Sequence, residues 1–487
     1  LVNLKCFDRI IVGPAEVKGR RASVKYTLEF DGLRKEYELV NVYPEDIDQR
    51  VLSAFFNVAG IVPAINYTLF SDEIKLDLEL DQVDLKFFED MSRVTARDIF
   101  VNRIVNRTGL IREEYLPNSE DVTPEDAEPK AHVSAEKITS KDIGPVKLDE
   151  KSCGVMSSGG KESLFTYGLL REMGCNVYSF FLNESGRHWW TALTAYRELA
   201  RRDPNTRKVW SNIDRLFAFI EKNMKIVVPN YWRKNREIYP VRLFWYANYI
   251  LSFIPIALKH GVGNIVMGNE FDDPSGLTFE YKGIRHYYAT FDQSLDFDNY
   301  MTGYFKAKGL DIKQWSPLRP LTPISMLKIF KDRYPDLVPL ITSCHSTHIE
   351  NGVVKPCGTC FKCNGVQLML LAVGIDPRLL RYEDKHIETL PQRIARGLIR
   401  LEPSLVQHSI YLATQRGVWK QGKAEPVWHV EMLHFDNINA TPTFIPHKWL
   451  RRRVLDLYEK YTLGYVKLVG DKWVPMTREE IERIKET

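Results

Sequence analysis

Between Cys153 and Glu270 the chain repeats one pattern, a short apolar run followed by an amphipathic stretch, and this alternation constrains the fold more than any other feature. "CGVMS", "NVYSFFLN", "KIVVPN" and "NIVMGNE" read as strands. "KESLFTYGLLREMG", "WWTALTAYRELARR" and "FWYANYILSFIPIALKHG" read as the helices between them. Continuous apolar runs of strand length suit a sheet covered on both faces, and helical crossovers between such strands make it parallel. The expected class is α/β, a doubly wound parallel sheet. Ligands of such sheets sit at the carboxyl ends of the strands.

The rest of the chain divides around this unit. Residues 1–113 combine alternating segments, "ASVKYTLEF" and "KEYELVNVY", with helical ones such as "TARDIFVNRIVNRTGL", so an N-terminal α+β domain without chemistry of its own is expected. Residues 114–151 are rich in Pro, Glu, Asp, Ser and Lys and read as a linker. The sheet domain then occupies 152–375, and 376–487 form a C-terminal extension of uncertain fold. Within that extension "HKWLRRRVLDLYEKY" reads as a solvated amphipathic helix rather than a nucleic-acid arm.

A hydrophobic content of 44% excludes general disorder. A formal net charge of +4, with basic residues spread along the chain, leaves no broad nucleic-acid footprint, so a small-molecule substrate is expected and nucleic acid is not. The most apolar run, Leu243 to Leu258, is shorter than the roughly 20 residues a membrane span requires and reads as a buried helix. The first residues lack the order of a signal peptide, and a cytoplasmic protein is expected. Oligomeric state is not legible.

One turn carries a specific chemical signal. "SSGGKES", Ser157 to Ser163, lies between the first strand of the repeat and its helix. Gly159 and Gly160 permit a sharp turn and close approach of a ligand, Ser158 and Ser163 add hydroxyls, and the helix N-terminus directs N–H groups at an anion. Such a turn suits pyrophosphate, although it lacks the Walker A spacing; a ligand-free glycine turn is the plain alternative.

A second signal is "SCHSTHIENGVVKPCGTCFKCNG", which places Cys344, Cys357, Cys360 and Cys363 within twenty residues. Four clustered thiolates suit a closed tetrahedral zinc site of structural type, with an iron–sulfur cluster as the alternative.

Other polar clusters follow predicted strands. They are Asn183, Glu184, Ser185, Arg187 and His188; Asn269, Glu270, Asp272 and Asp273; and Arg285, His286, Asp292 and Gln293. Arg242 heads the apolar helix, where a guanidinium is either an anion clamp or a surface residue with a packed stem.

The turn resembles the PP-loop ATP pyrophosphatases, whose signature S-G-G-x-D-S is matched by Ser158, Gly159, Gly160, Lys161, Glu162 and Ser163, with Glu162 in place of the usual aspartate. That resemblance implies ATP and Mg²⁺ as cofactors and cleavage of ATP to AMP and pyrophosphate while a carboxyl or carbonyl oxygen is adenylated. Nucleotide contacts are expected from Ser158 to Ser163, Arg242, Asn269 and Glu270. The cysteine spacing, with "WSPLRPLT" ahead of it, is similar to the zinc site of 7-cyano-7-deazaguanine synthases. The order "SSGGKES", "NESGRHW", "PVRL" and "SCH…PCGTCFKC" resembles UDP-N-acetylmuramoyl-L-alanyl-L-glutamate epimerases. That resemblance implies activation of a substrate carboxylate as an adenylate; from chemistry and strand-end position alone, Arg187 or Arg242 is expected to hold a carboxylate and His188 or His286 to move the α-proton. A deazapurine or tRNA-base enzyme and a non-catalytic nucleotide-binding protein are the alternatives.

Overall fold

The computed structural model describes residues 3–140, 142–234, 238–271, 278–422 and 424–487. Asp272 and Asp273 lie outside them.

The protein is α/β, built on a ten-stranded mixed and largely parallel sheet flanked by helices. In chain order its strands are β1 (Phe7–Lys18), β2 (Arg21–Phe30), β3 (Leu33–Val42), β4 (Ser71–Leu76), β5 (His132–Ala135), β6 (Asp149–Met156), β7 (Asn176–Asn183), β8 (Thr206–Ser211), β9 (Val262–Val266) and, after a small hairpin of β10 (Phe279–Tyr281) and β11 (Ile284–His286), β12 (Lys313–Trp315). The spatial order is β12-β9-β6-β7-β8-β3-β2-β1-β4-β5.

The first five of these are mutually parallel. The chain runs outward from β6 through β7 to β8, then returns to the other side of β6 with β9 and β12. The order therefore reverses between β6 and β9, and the crevice beyond their carboxyl ends is the binding position that the doubly wound topology offers. Helices α1 (Gln49–Ile65) and α2 (Gln82–Ile99) precede this unit, and α3 (Lys161–Glu172), α4 (His188–Arg202), α5 (Ile213–Lys222), α6 (Tyr246–Lys259), α7 (Leu295–Ala307), α8 (Pro323–Arg333) and α9 (Phe361–Val373) belong to it.

The third strand of the parallel unit is Thr206–Ser211, not the expected "KIVVPN". Its sequence, TRKVWS, hides a strand because only Val209 and Ser211 are buried, whereas the apolar Val227 forms just an isolated bridge to Ile111.

The N-terminal segment does not stand apart, since β3 pairs antiparallel with β8 through Asn41–Ser211 and Val42–Trp210 and extends the same sheet. Asn212 secures the junction by accepting from Val40 N at 2.8 Å and donating to Glu38 O at 2.8 Å. α1 packs along α6, with Asn248 Nδ2 donating to Ala59 O at 2.8 Å, so one apolar core spans both halves. The expected linker likewise contributes β5 beside β4 and buries Val122 and Ala127.

The C-terminal region packs a helix, Lys448–Glu459, and a three-stranded sheet against a second apolar core built on α3, α8 and α9. Leu450, Val454, Leu455 and Tyr458 form the buried face of that helix, as its amphipathic pattern predicts. Among the described residues no helix is long and apolar enough to cross a membrane; the run from Leu243 enters α6, eleven of whose residues are buried.

Candidate active site at the strand-order switch

The turn after β6 is held on three sides. Ser157 N donates to Phe180 O at 2.8 Å, so the turn starts from the ladder with β7. Gly159 has φ +75°, and a Cβ there would stand 2.7 Å from Ala192 Cα and 2.8 Å from Thr191 O, so α4 approaches too closely for any other residue. Thr342 N donates to Gly159 O at 3.0 Å and ties the turn to the cysteine segment. Gly160 is the N-cap of α3 and offers no side-chain cap, which leaves the first N–H groups of this helix for another acceptor.

The turn after β9 closes the other side. Gly268 lies against Glu162, where an added Cβ would be 3.0 Å from Glu162 Cβ. Asn269 N donates to Ser316 Oγ at 3.0 Å, and Ser316 Oγ donates to Asn269 O at 2.8 Å. The backbone of Asn269 is thereby fixed while its buried Nδ2 has no hydrogen-bond partner. A stranded amide donor at this position suits an anionic or carbonyl ligand.

Lys161 is buried at the base, with Nζ 2.7 Å from Glu270 Oε1 and also paired with Glu162. Burial pulls its pKa down, but the charges of Glu162 and Glu270 outweigh that and raise it. Glu162 is held low against its own burial by Lys161 and Lys362.

These turns open into a cavity of about 400 Å³, lined by Ser158, Gly160, Glu162, Ser163, Asn269 and Glu270 at this end. Glu184, His188, Asp214, Tyr239 and Arg242 line it elsewhere, together with aromatic residues including Trp245 and Tyr246. Arg242 is 5% exposed, with Nη1 3.5 Å from Asp214 Oδ1 and its guanidinium 3.6 Å from the centre of the Tyr239 ring. Its Nε and Nη1 lack hydrogen-bond partners, so this guanidinium is neutralised without being saturated. His188 Nε2 meets the Tyr239 hydroxyl at 2.5 Å, and burial lowers the His188 pKa.

The N-terminal half places Arg242. Asn66, at the end of α1, accepts from Leu243 N at 2.8 Å and Phe244 N at 2.9 Å, and donates to Phe244 O at 2.7 Å. Asp292 then accepts from Trp245 N at 3.2 Å and Tyr246 N at 3.3 Å. Of the cluster around Asp292, Gln293 lines the cavity while Asp292 orients its wall.

Arg187 and His286 are not brought to the cavity, nor are Asn183, Ser185 and Arg285. Arg187 is exposed just ahead of α4, because its side chain leaves the turn on the solvent side. His286 is buried on β11, 3.4 Å from Asn102 Nδ2, because its strand forms the separate hairpin.

Cys344, Cys357, Cys360 and Cys363 present their sulfurs within 4.8 Å of one another, close enough to hold a metal ion such as zinc. Cys357 N donates to Cys344 Sγ at 3.3 Å and Cys363 N to Cys360 Sγ at 3.4 Å, an arrangement that favours thiolates. Four sulfur donors fit a closed zinc site. Thr342, Ser343 and His345, which flank Cys344, and Lys362, between Cys360 and Cys363, all line the cavity. The cysteine loop is therefore a brace for one wall.

Asp214, Tyr239, His345 and Lys362 were not legible as site residues. Asp214 follows the strand that the apolar pattern missed, and Lys362 lies inside a motif whose cysteines dominate its reading. Searches of protein-family models and of curated proteins return no match for this chain.

Proposed function

We propose that the protein activates a substrate carboxylate with ATP, releasing AMP and pyrophosphate, and that the activated acyl group is the terminal L-Glu of UDP-N-acetylmuramoyl-L-alanyl-L-glutamate, which is then epimerised. The observation that carries this reading is the position of the Ser158–Ser163 turn at the β6/β9 switch, facing a cavity that also contains the unsaturated Arg242. The free N–H groups at the start of α3 and the Ser158 and Ser163 hydroxyls would receive phosphate oxygens. Glu162 and Glu270 would hold Mg²⁺, which needs only one or two carboxylates beside the phosphates. Arg242 would take a substrate carboxylate. An ionised carboxylate resists loss of its α-proton because charge would accumulate on one group; the acyl adenylate removes that obstacle.

The test is incubation with ATP, Mg²⁺ and the muramoyl dipeptide in deuterated water. AMP together with D-glutamate carrying α-deuterium supports the proposal. AMP without α-deuterium would retain activation and defeat the epimerase assignment. A deazapurine-forming reading is favoured by the cysteine brace beside the cavity, and AMP formed with 7-carboxy-7-deazaguanine alone would select it.

A further inference from the structure

Inversion at an α-carbon needs a group to remove a proton and a group to return one. Glu184 follows β7 directly, lines the cavity, and is only 5% exposed. Among the described residues no cation lies within ion-pair distance of it; Asp214 from α5, Arg242 ahead of α6, and Tyr246 and Tyr249 on α6 are the titratable groups that act on it. Tyr239 lines the same cavity, with His188 on its hydroxyl and Arg242 over its face.

We propose that Glu184 removes the α-proton of the activated glutamyl group and that Tyr239 returns a proton to the opposite face, a pairing that rests on the adenylation reading above. The α-C–H bond breaks, its electron pair moves into the activated carbonyl as an enolate, and the proton passes to a Glu184 carboxylate oxygen. A new C–H bond then forms with the Tyr239 proton. Glu184 releases its proton to solvent and Tyr239 regains one, so the pair is restored.

The electrostatics suit these roles. Burial, reinforced by the Asp214 charge, pushes Glu184 up to about 8, which makes it a stronger base than an exposed carboxylate. Burial holds Tyr239 above the usual phenol value against the pull of Arg242, so it is a protonated donor. The guanidinium over its ring stabilises the phenolate that forms.

The experiment compares wild type, Glu184→Gln, Glu184→Asp and Tyr239→Phe in deuterated water with ATP, Mg²⁺ and the muramoyl dipeptide, reading AMP, α-deuterium and configuration. Glu184→Gln should lower the ratio of α-deuterium to AMP by about 100-fold or more. Tyr239→Phe should admit deuterium at the α-carbon with retained L configuration, since one base remains. Wild-type exchange per AMP should rise with pH through about 8, and Glu184→Asp should keep a rise of that kind at lower rate. A wild-type ratio in Glu184→Gln, wild-type epimer yield in Tyr239→Phe, or exchange independent of pH from 6.5 to 9 would each overturn the proposal. If Glu184→Gln does not fold, the Tyr239→Phe product and the wild-type pH profile decide. Absence of AMP from wild type itself would instead reject the adenylation reading.

Discussion

Lys161 and Glu270 are 109 residues apart in sequence, yet Lys161 Nζ lies 2.7 Å from Glu270 Oε1. The pair joins the first residue of α3 to the turn after β9, and so fastens together the two strand ends that border the switch. Glu162 shares the same ammonium, so one buried cation pairs with two carboxylates. Lys161→Met should destabilise the fold by about 3–5 kcal/mol, the range for removing one partner of a buried pair. Adding Glu270→Gln should recover part of that loss, and chemical denaturation of the single and double variants measures the coupling.

The two glycines of the turn should fail differently. Gly159→Ala meets the α4 backbone and a left-handed φ, so it should lower stability by about 1–3 kcal/mol or more. Gly160 has φ −80° and its nearest neighbour is the flexible end of Glu162, so Gly160→Val should fold. Its side chain would fill the space in front of the α3 N–H groups, and ATP binding by calorimetry should fall by at least tenfold. Wild-type ATP affinity in Gly160→Val would reduce the turn to a structural role.

One metal atom per chain, with zinc expected, should be found by elemental analysis of purified protein. Cys360→Ser should lose it and lower the thermal midpoint, and because the cysteine loop carries Ser343, His345 and Lys362 into the cavity wall, ligand binding should weaken with it. Unchanged metal content and midpoint in Cys360→Ser would rule out the four-cysteine centre.

Stability should decline as pH rises toward 7. Burial pushes Asp292 up to about 7, and burial together with the Asp292 charge pushes Asp98 up to about 7. An acid whose folded pKa lies above its unfolded value of roughly 3.9 contributes stability that is complete below the unfolded value and lost as pH passes the folded one. Asp292→Asn keeps an oxygen for the Trp245 and Tyr246 N–H groups and cannot ionise. It should therefore match wild type near pH 4 and exceed it by a few kcal/mol at pH 8.5 in urea unfolding; equal stability at both pH values would contradict the assignment.

The alternation of apolar runs was enough to read most of the parallel unit, because β7, β9 and the second half of β6 are buried. It failed for β8, whose polar residues face a half-exposed surface. The joining of the N-terminal strands was also hidden. It depends on β3 meeting β8 and on Asn41, Asn66, Asn212 and Asn248 reaching across the core, and single polar residues in apolar segments carry no sign of their partners. The glycine turn after β6 and the cysteine cluster were legible because each is local in sequence. The wall opposite the turn was less so: Asp214 at the start of α5 and the Tyr239–Arg242 segment are brought together only by the fold.

Under the proposed function, a carboxylate oxygen attacks the α-phosphorus of ATP in the cleft between β6 and β9. This attack is tested most directly with the muramoyl dipeptide labelled with ¹⁸O in its terminal α-carboxylate, followed by mass spectrometry of the nucleotide product. Attack by that oxygen and later cleavage at the acyl carbon should leave one ¹⁸O atom on the phosphate of AMP. Production of ADP, or of AMP free of label, would contradict it.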